Sequence, residues 1–317
     1  SRGGLYWLFP TFRAFGTQLS SANIGWVEYE GEIYSPVSHP RIRECIEYHR
    51  KLYSEGLLDK EFITATPTDA QKKYETSNAI INTIKPGELM NLIINTRKGT
   101  GNSDATWGPV EHMVAPGVDP KYVCWPRNLR GFRAFSISSS TKKADAAIRL
   151  IEAFCDEDLV KEVLWGREGI EYNAVDGKKV INVDKHLETS WRGVYSLLWQ
   201  QQHTEWISEI VPQVDIYNLN KEGYNGNQIY ENYVKPAFEL SLKNGEVSGP
   251  SRTWAYIEPE DVSLISKEAK TEANKLMIKA IMGQISMEEY DKQAAEFDKK
   301  YSIVTETFKD WWEKNRS

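Results

Sequence analysis

At 317 residues, with 40% hydrophobic and 26% charged residues, the chain is long enough to bury a large core as one domain or two lobes. A formal charge of -6 and the lack of any Lys/Arg run exclude nucleic acid as a partner, because a phosphate backbone is bound through clustered cations. No apolar stretch is long enough to span a bilayer, and no secretory signal pattern opens the chain, although a removed leader would leave no trace.

In chain order, residues 1–34 are aromatic and glycine-rich with little helical period. WVEYEGEIYS (Trp26 to Ser35) alternates rings and acids around Glu30-Gly31 and predicts a hairpin. A helix follows, with Ser38 as cap, Pro40 in the first turn and Gly56 just past the end. Its apolar face is Ile42, Cys45, Ile46, His49, Leu52 and Tyr53, where His49 reads as a packed core residue. AIINTI (79–84) predicts a short buried strand ending at Lys85-Pro86-Gly87. A helix carrying Leu89 and Ile93 comes next, then a polar loop over 98–106. GFRAFSIS (131–138) predicts a second strand. It leads into a helix over 142–165 whose apolar face holds Ala144, Ala147, Ile148, Ile151, Phe154 and Leu159.

WGREGIEYNAVDGKKVIN (Trp165 to Asn182) reads as a helix exit at Gly166, a corner at Gly169 and a hairpin turn at Val175-Asp176-Gly177-Lys178. Residues 186–240 read as irregular helix with Trp191, Trp199 and Trp206 at least partly buried, and 244–251 as a linker. Ser286 and Glu289 form a capping box with Ile285 and Tyr290 as its staple, and Phe297, Val304, Phe308 and Trp311 continue the apolar stripe of the last helices.

The residues carry little catalytic signature. The three cysteines, Cys45, Cys124 and Cys155, are far apart; Cys45 and Cys155 fall in helical patterns and are expected to be buried thiols. The histidines are isolated, no metal-ligand spacing occurs, and no cofactor motif is present; GTGN at 99–102 lacks both the preceding strand and the full glycine pattern. Glu168 and Glu171 are separated by Gly169 and make a poor carboxylate pair, so no catalytic residue is assigned. The 11 Trp, 16 Tyr and 10 Phe stand out in so polar a chain, and some of these rings are expected to line a cleft. In Trp125-Pro126-Arg127-Asn128 a ring sits beside donors, and Phe12-Arg13 offers a similar pair.

Three segments together, YHRKLYSEGLLDKEF (Tyr48 to Phe62), WGREGIEYNAVDGKKV and MIKAIMGQISMEEYDKQAAEF, resemble the family 1 extracellular solute-binding proteins of ABC transporters. The likeness is to the Gram-positive lipoprotein type, sugar-binding branch, and the order of features is similar to that of maltose-binding protein. It implies a helix-rich α/β chain with the type II periplasmic-binding-protein-like two-lobe fold. Residues 1–129 with 248–317 would form the second lobe, and 130–247 would return to a first lobe that lies mostly before Ser1 with the leader and lipid-anchored cysteine. It further implies an extracellular, monomeric receptor, not an enzyme, that closes by a hinge on an oligosaccharide or other small solute and docks on a membrane permease. By position in the family pattern, Tyr6, Trp7, Lys85, Pro86 and Trp254 fall at the binding cleft. The other readings open at this point are a carbohydrate-active enzyme, glycosidase or lyase, and a protein-interaction module.

Overall fold

The computed structural model describes residues 5, 8–19, 24–79, 81, 86–123, 136–188, 209–248 and 256–316. The strands expected at 79–84 and 131–138 fall largely outside these residues, and Trp191, Trp199 and Trp206 fall wholly outside them. Among the described residues the strands make two antiparallel hairpins, and the remaining regular structure is helical.

After the short helix α1 (Phe9–Arg13) comes the first hairpin, β1 (Val27–Tyr29) against β2 (Glu32–Tyr34), with Val27 opposite Tyr34. Its two turn residues, Glu30 and Gly31, have φ of 52° and 90°, the left-handed pair of a turn whose twist suits two-residue hairpins. Helix α2 (Ile42–Ser54) buries Ile42, Cys45, Ile46 and His49 as the period predicts. It ends in a Schellman motif: the N–H groups of Gly56 and Leu57 return to the carbonyls of Tyr53 and Leu52. The start of α2 differs from expectation. Arg41 is the N-cap and makes no side-chain cap, while the Ser38 hydroxyl is 2.9 Å from that of Ser35, which donates to Asp298 at 2.5 Å. Ser38 is therefore held within its own turn by Ser35, which is itself tied to Asp298, instead of capping the helix.

Helix α3 (Pro67–Glu75) opens with a full capping box, Thr66 with Asp69, that the sequence reading passed over. A single 3-10 turn, Pro86–Glu88, feeds α4 (Leu89–Thr100), which buries Leu89 and Ile93 as expected. Lys98 to Thr100 belong to this helix, so the polar loop begins at Gly101. Helix α5 (Pro120–Val123) follows.

The long helix expected over 142–165 is two helices, α6 (Ala144–Cys155) and α7 (Glu157–Trp165). Asp156 ends the first and caps the second, accepting the Leu159 N–H at 2.9 Å. Neither Ile148 nor Leu159 is core, and Cys155 is exposed where a buried thiol was expected. The second hairpin, β3 (Tyr172–Val175) with β4 (Lys178–Ile181), turns at Asp176-Gly177, again with both φ positive. On the outer edge of β4, the Gln213 amide accepts the Ile181 N–H at 2.9 Å and donates to the Lys179 carbonyl at 3.1 Å.

Helices α8 (Val183–Glu188), α9 (Val211–Lys221) and α10 (Gly226–Ile229) lead into a π-helical turn, Tyr230–Val234, and α11 (Lys235–Ser248). The linker expected from 244 is thus helical to Ser248. The chain finishes with α12 (Glu260–Ile281), α13 (Met287–Lys300) and α14 (Ser302–Asn315). Ser286 caps α13 through the Glu289 N–H at 3.1 Å, but the Glu289 carboxylate takes Gln293 at 2.6 Å, so the reciprocal arm of the box is not made.

Among the described residues three apolar clusters result. The largest joins α1, the first hairpin and α2 to α12, α13 and α14, with Phe12, Ile46, Met277, Tyr290 and Phe308 inside it. The second packs α4 against α9, the π-turn and α11. The third is small: α7, the end of β4, Val183 and Ile210 around Trp165.

Candidate functional site

Of the residues expected at a binding cleft, Tyr6, Trp7, Lys85, Trp125, Arg127, Asn128 and Trp254 lie outside the described residues. Phe12 and Arg13 are described, and both are interior. Phe12 has no exposed surface, with its ring 4.5 Å from the His49 ring, and the Arg13 guanidinium donates to the carbonyls of Val123 (3.0 Å) and Gln18 (3.1 Å). In this structure neither presents a face to solute. Pro86 is half-buried and opens the 3-10 turn before α4.

One ring from a distant part of the chain meets that turn, and three more pack on the same apolar cluster. A Cβ placed on Gly87 would meet the Phe238 ring at 3.9 Å, and one on Gly108 would meet the Tyr233 ring at 3.5 Å. Beside them Trp107 donates its indole N–H to Thr96 at 2.8 Å and meets the Tyr74 ring edge-on at 6.4 Å. The Arg97 guanidinium lies 4.6 Å over the Tyr224 ring while its Nε holds the Ala105 carbonyl at 2.9 Å. Trp107, Tyr224, Tyr233 and Phe238 are all half-buried on the second cluster, apolar on one side and reachable on the other. Flat rings held this way offer faces for the C–H surfaces of a sugar or other amphipathic solute. The sequence reading missed Trp107, which closes a polar loop, and missed Tyr233 and Phe238 inside a segment read only as irregular helix. The available signal was ring spacing in NQIYENYVKPAF, where Tyr230 and Tyr233 are three apart and Phe238 follows Pro236.

Behind this patch, α9 contributes Asp215, which is 4% exposed and whose Oδ2 has no hydrogen-bond partner among the described residues. Burial pushes its carboxyl up to about 7. Burial, with Asp215 next in weight, pushes the Tyr230 hydroxyl up to about 12. π-helical turns recur at functional positions, and here the turn aims Tyr233 toward Gly108.

The acids around Gly169 do different work. Glu171 accepts three bonds from Arg167, from the backbone N–H at 2.8 Å, Nε at 3.2 Å and Nη2 at 2.8 Å, which hold its carboxyl down to about 2. A group so firmly ionised is no proton donor near neutral pH, and Glu168 is engaged in a backbone bridge to Tyr172. A cavity of about 290 Å³ lies elsewhere, at the start of α2, lined by Ser38, His39, Arg43, Tyr290, Asp291 and Asp298. Most of its polar groups are already engaged: Arg43 pairs with Asp291, Asp298 takes Ser35, and the Tyr290 hydroxyl donates to the Val37 carbonyl, while His39 Nε2 is buried without a hydrogen-bond partner among the described residues. Among the described residues no group of three or more His, Cys, Asp or Glu is placed to hold a metal ion, and no helix is long and apolar enough to cross a membrane.

The fold these elements define is the helix-rich α/β, type II periplasmic-binding-protein-like fold of solute-binding proteins. One solved structure that shares it is the alginate-binding protein AlgQ2 without calcium ion, with a TM-score of 0.56 at 12% identity over 95% of this chain and 62% of that one. Another is an HMO-binding, ABC-transporter-associated solute-binding protein from Bifidobacterium longum infantis, with a TM-score of 0.57 at 16% identity over 96% of this chain and 61% of that one. The chain therefore spans about three-fifths of the length of these structures. No family model matches it, and no curated protein matches it in sequence. Both neighbours are binding proteins by description, and neither is described as an enzyme.

Proposed function

We propose that this chain belongs to the receptor subunit of an ABC importer and binds a carbohydrate, an oligosaccharide in particular, without transforming it. The observation that carries this reading is the fold shared along 95–96% of the chain with two proteins described as binding alginate and HMO. The half-buried rings beside Pro86 support it, because stacking on C–H faces is how flat aromatic side chains take up sugars. The site consists of Pro86, Trp107, Tyr224, Tyr233 and Phe238, with Tyr6, Trp7, Lys85, Trp125, Arg127, Asn128 and Trp254 as further contributors from the cleft. Phe12 and Arg13 contribute from the interior, Phe12 within the first apolar cluster, and do not touch the solute. Residues 1–129 with 248–317 form the second lobe, 130–247 returns to the first, and closure about a hinge between them buries the solute. The whole protein is an extracellular monomer, lipid-anchored as in the Gram-positive sugar-binding branch, and its partner is a membrane permease.

Thermal-shift screening against a panel of acidic and neutral oligosaccharides, followed by chromatography of the incubated sugar, tests the reading. The expected result is a raised Tm with one class of sugar and quantitative recovery of that sugar unchanged. Cleavage products would establish a carbohydrate-active enzyme instead. A Tm unmoved by every member of the panel removes the carbohydrate assignment.

A further inference from the structure

Arg97, in the last turn of α4, has its plane fixed twice over. The guanidinium lies 4.6 Å over the Tyr224 ring, and Nε donates to the Ala105 carbonyl at 2.9 Å. Both contacts leave Nη1 and Nη2 uncommitted, and neither nitrogen has a hydrogen-bond or ion-pair partner among the described residues. The side chain is half-buried, so this fork is neither sealed in the core nor loose in solvent.

The neighbouring charges are disposed of in other ways. Lys98, the next residue, pairs with Glu222 at 2.6 Å, and Lys235 pairs with Glu231 at 2.7 Å. Glu75 accepts the side-chain amides of Gln71 and Asn95 at 2.7 and 2.8 Å. No carboxylate of the described residues is given to Arg97. The rings of the patch flank it instead. Tyr224 lies beneath the guanidinium, and Trp107 bonds to Thr96, the residue before Arg97, while following the anchoring Ala105 by two positions. Two coplanar N–H donors match the two oxygens of a carboxylate, and a fork already immobilised loses little freedom on taking one.

We propose that Arg97 binds a carboxylate of the solute, which makes the ligand an acidic oligosaccharide built of uronate units, its sugar rings carried on the aromatic faces beside the fork. The inference rests on the reading of this patch as a sugar site and adds the charge of the sugar to it.

Calorimetry with matched pairs of sugars tests it. Each pair is a uronate oligosaccharide and the same oligosaccharide after reduction of its carboxyl groups to hydroxymethyl groups. The wild type should bind the uronate member about tenfold tighter or more. In Arg97→Gln that preference should fall to near equality, and Arg97→Lys, which keeps the charge without the fork, should retain only part of it. The ratio within a pair isolates the contact, because a loop loosened by loss of the Nε bond would weaken both members alike. Should glutamine unfold the chain, Arg97→Lys carries the test, with the preference expected to fall about threefold. Equal binding of the two members by the wild type overturns the proposal and leaves the carbohydrate reading standing. So does a preference that survives undiminished in the variants. Binding of neither member of any pair removes both.

Discussion

Replacing His49 with glutamine isolates the acid sensitivity of the principal core. The His49 ring has no exposed surface and sits 4.5 Å from Phe12 and 5.5 Å from Tyr48. Its Nδ1 is 2.7 Å from the Cys45 carbonyl, which can only accept, so the proton of the neutral ring resides there, and Nε2 takes the Thr11 hydroxyl at 2.7 Å. Protonation would turn the second bond around. Thr11 would then accept from Nε2 and donate to the Leu8 carbonyl, already 2.8 Å away. Hydrogen bonding thus serves both charge states, and what penalises the cation is burial, which lowers the ring from its ordinary 6.5 to about 4.

The sign follows from proton uptake. Between pH 6.5 and 4 the unfolded chain binds a proton at this ring and the folded chain does not, so stability falls as the pH falls through that window. The whole shift corresponds to about 3 kcal/mol, and about 2 kcal/mol of it is lost between pH 7 and pH 5. Urea unfolding followed by circular dichroism at these two pH values, for the wild type and His49→Gln, reads the difference directly. Every other titrating group, including the similarly lowered His39, is common to both proteins and cancels. The wild type should lose about 2 kcal/mol more than the variant. Equal losses in the two proteins would refute the argument.

At the corner after α7, Gly166 has φ of 80° and a Cβ there would lie 2.6 Å from Cβ of Glu171, so Gly166→Ala should destabilise by about 2 kcal/mol or more, measured as a lowered Tm with the spectrum at low temperature unchanged. Asp215→Asn removes a carboxyl whose raised pKa makes the folded state lose stability as pH rises from 3.8 through 7. The variant should gain about 3 kcal/mol on the wild type at pH 8 relative to their difference at pH 4, read by urea unfolding. Tyr233→Ala removes one ring face from the patch and should weaken the binding of a sugar found in the screen by about tenfold in calorimetry, with Tm in its absence changed little. An unchanged affinity would move the site elsewhere.

Much of the local structure could be read from residue order because its causes are local. Both hairpins announce themselves by an acid followed by glycine between β-forming runs, and α2 shows its buried face through spacing alone. The errors arise where a residue answers to something far away in the chain. Ser38 has the chemistry of a helix cap but bonds to Ser35, whose hydroxyl is fixed in turn by the distant Asp298. α6 has the pattern of a core helix, and pattern says nothing about whether a covering layer is present. The aromatic patch joins Pro86, Trp107, Tyr233 and Phe238, residues up to 152 positions apart, and no window on the sequence contains such a meeting. The expected cleft residues were chosen by ring type and family position, a criterion that cannot separate Phe12, sealed in the core, from a ring at the surface.

The Gln213 side chain has a consequence for how this protein behaves in a crowded solution. A two-stranded hairpin normally offers its outer backbone to any passing strand, and this one carries the exposed valines Val175 and Val180 that would favour such recruitment. One carboxamide from α9 occupies both the donor and the acceptor that β4 turns outward at Ile181 and Lys179. It works as a strand one residue long: it extends the ladder with groups that cannot propagate it, so on the β4 side the sheet ends at a side chain instead of at an open template.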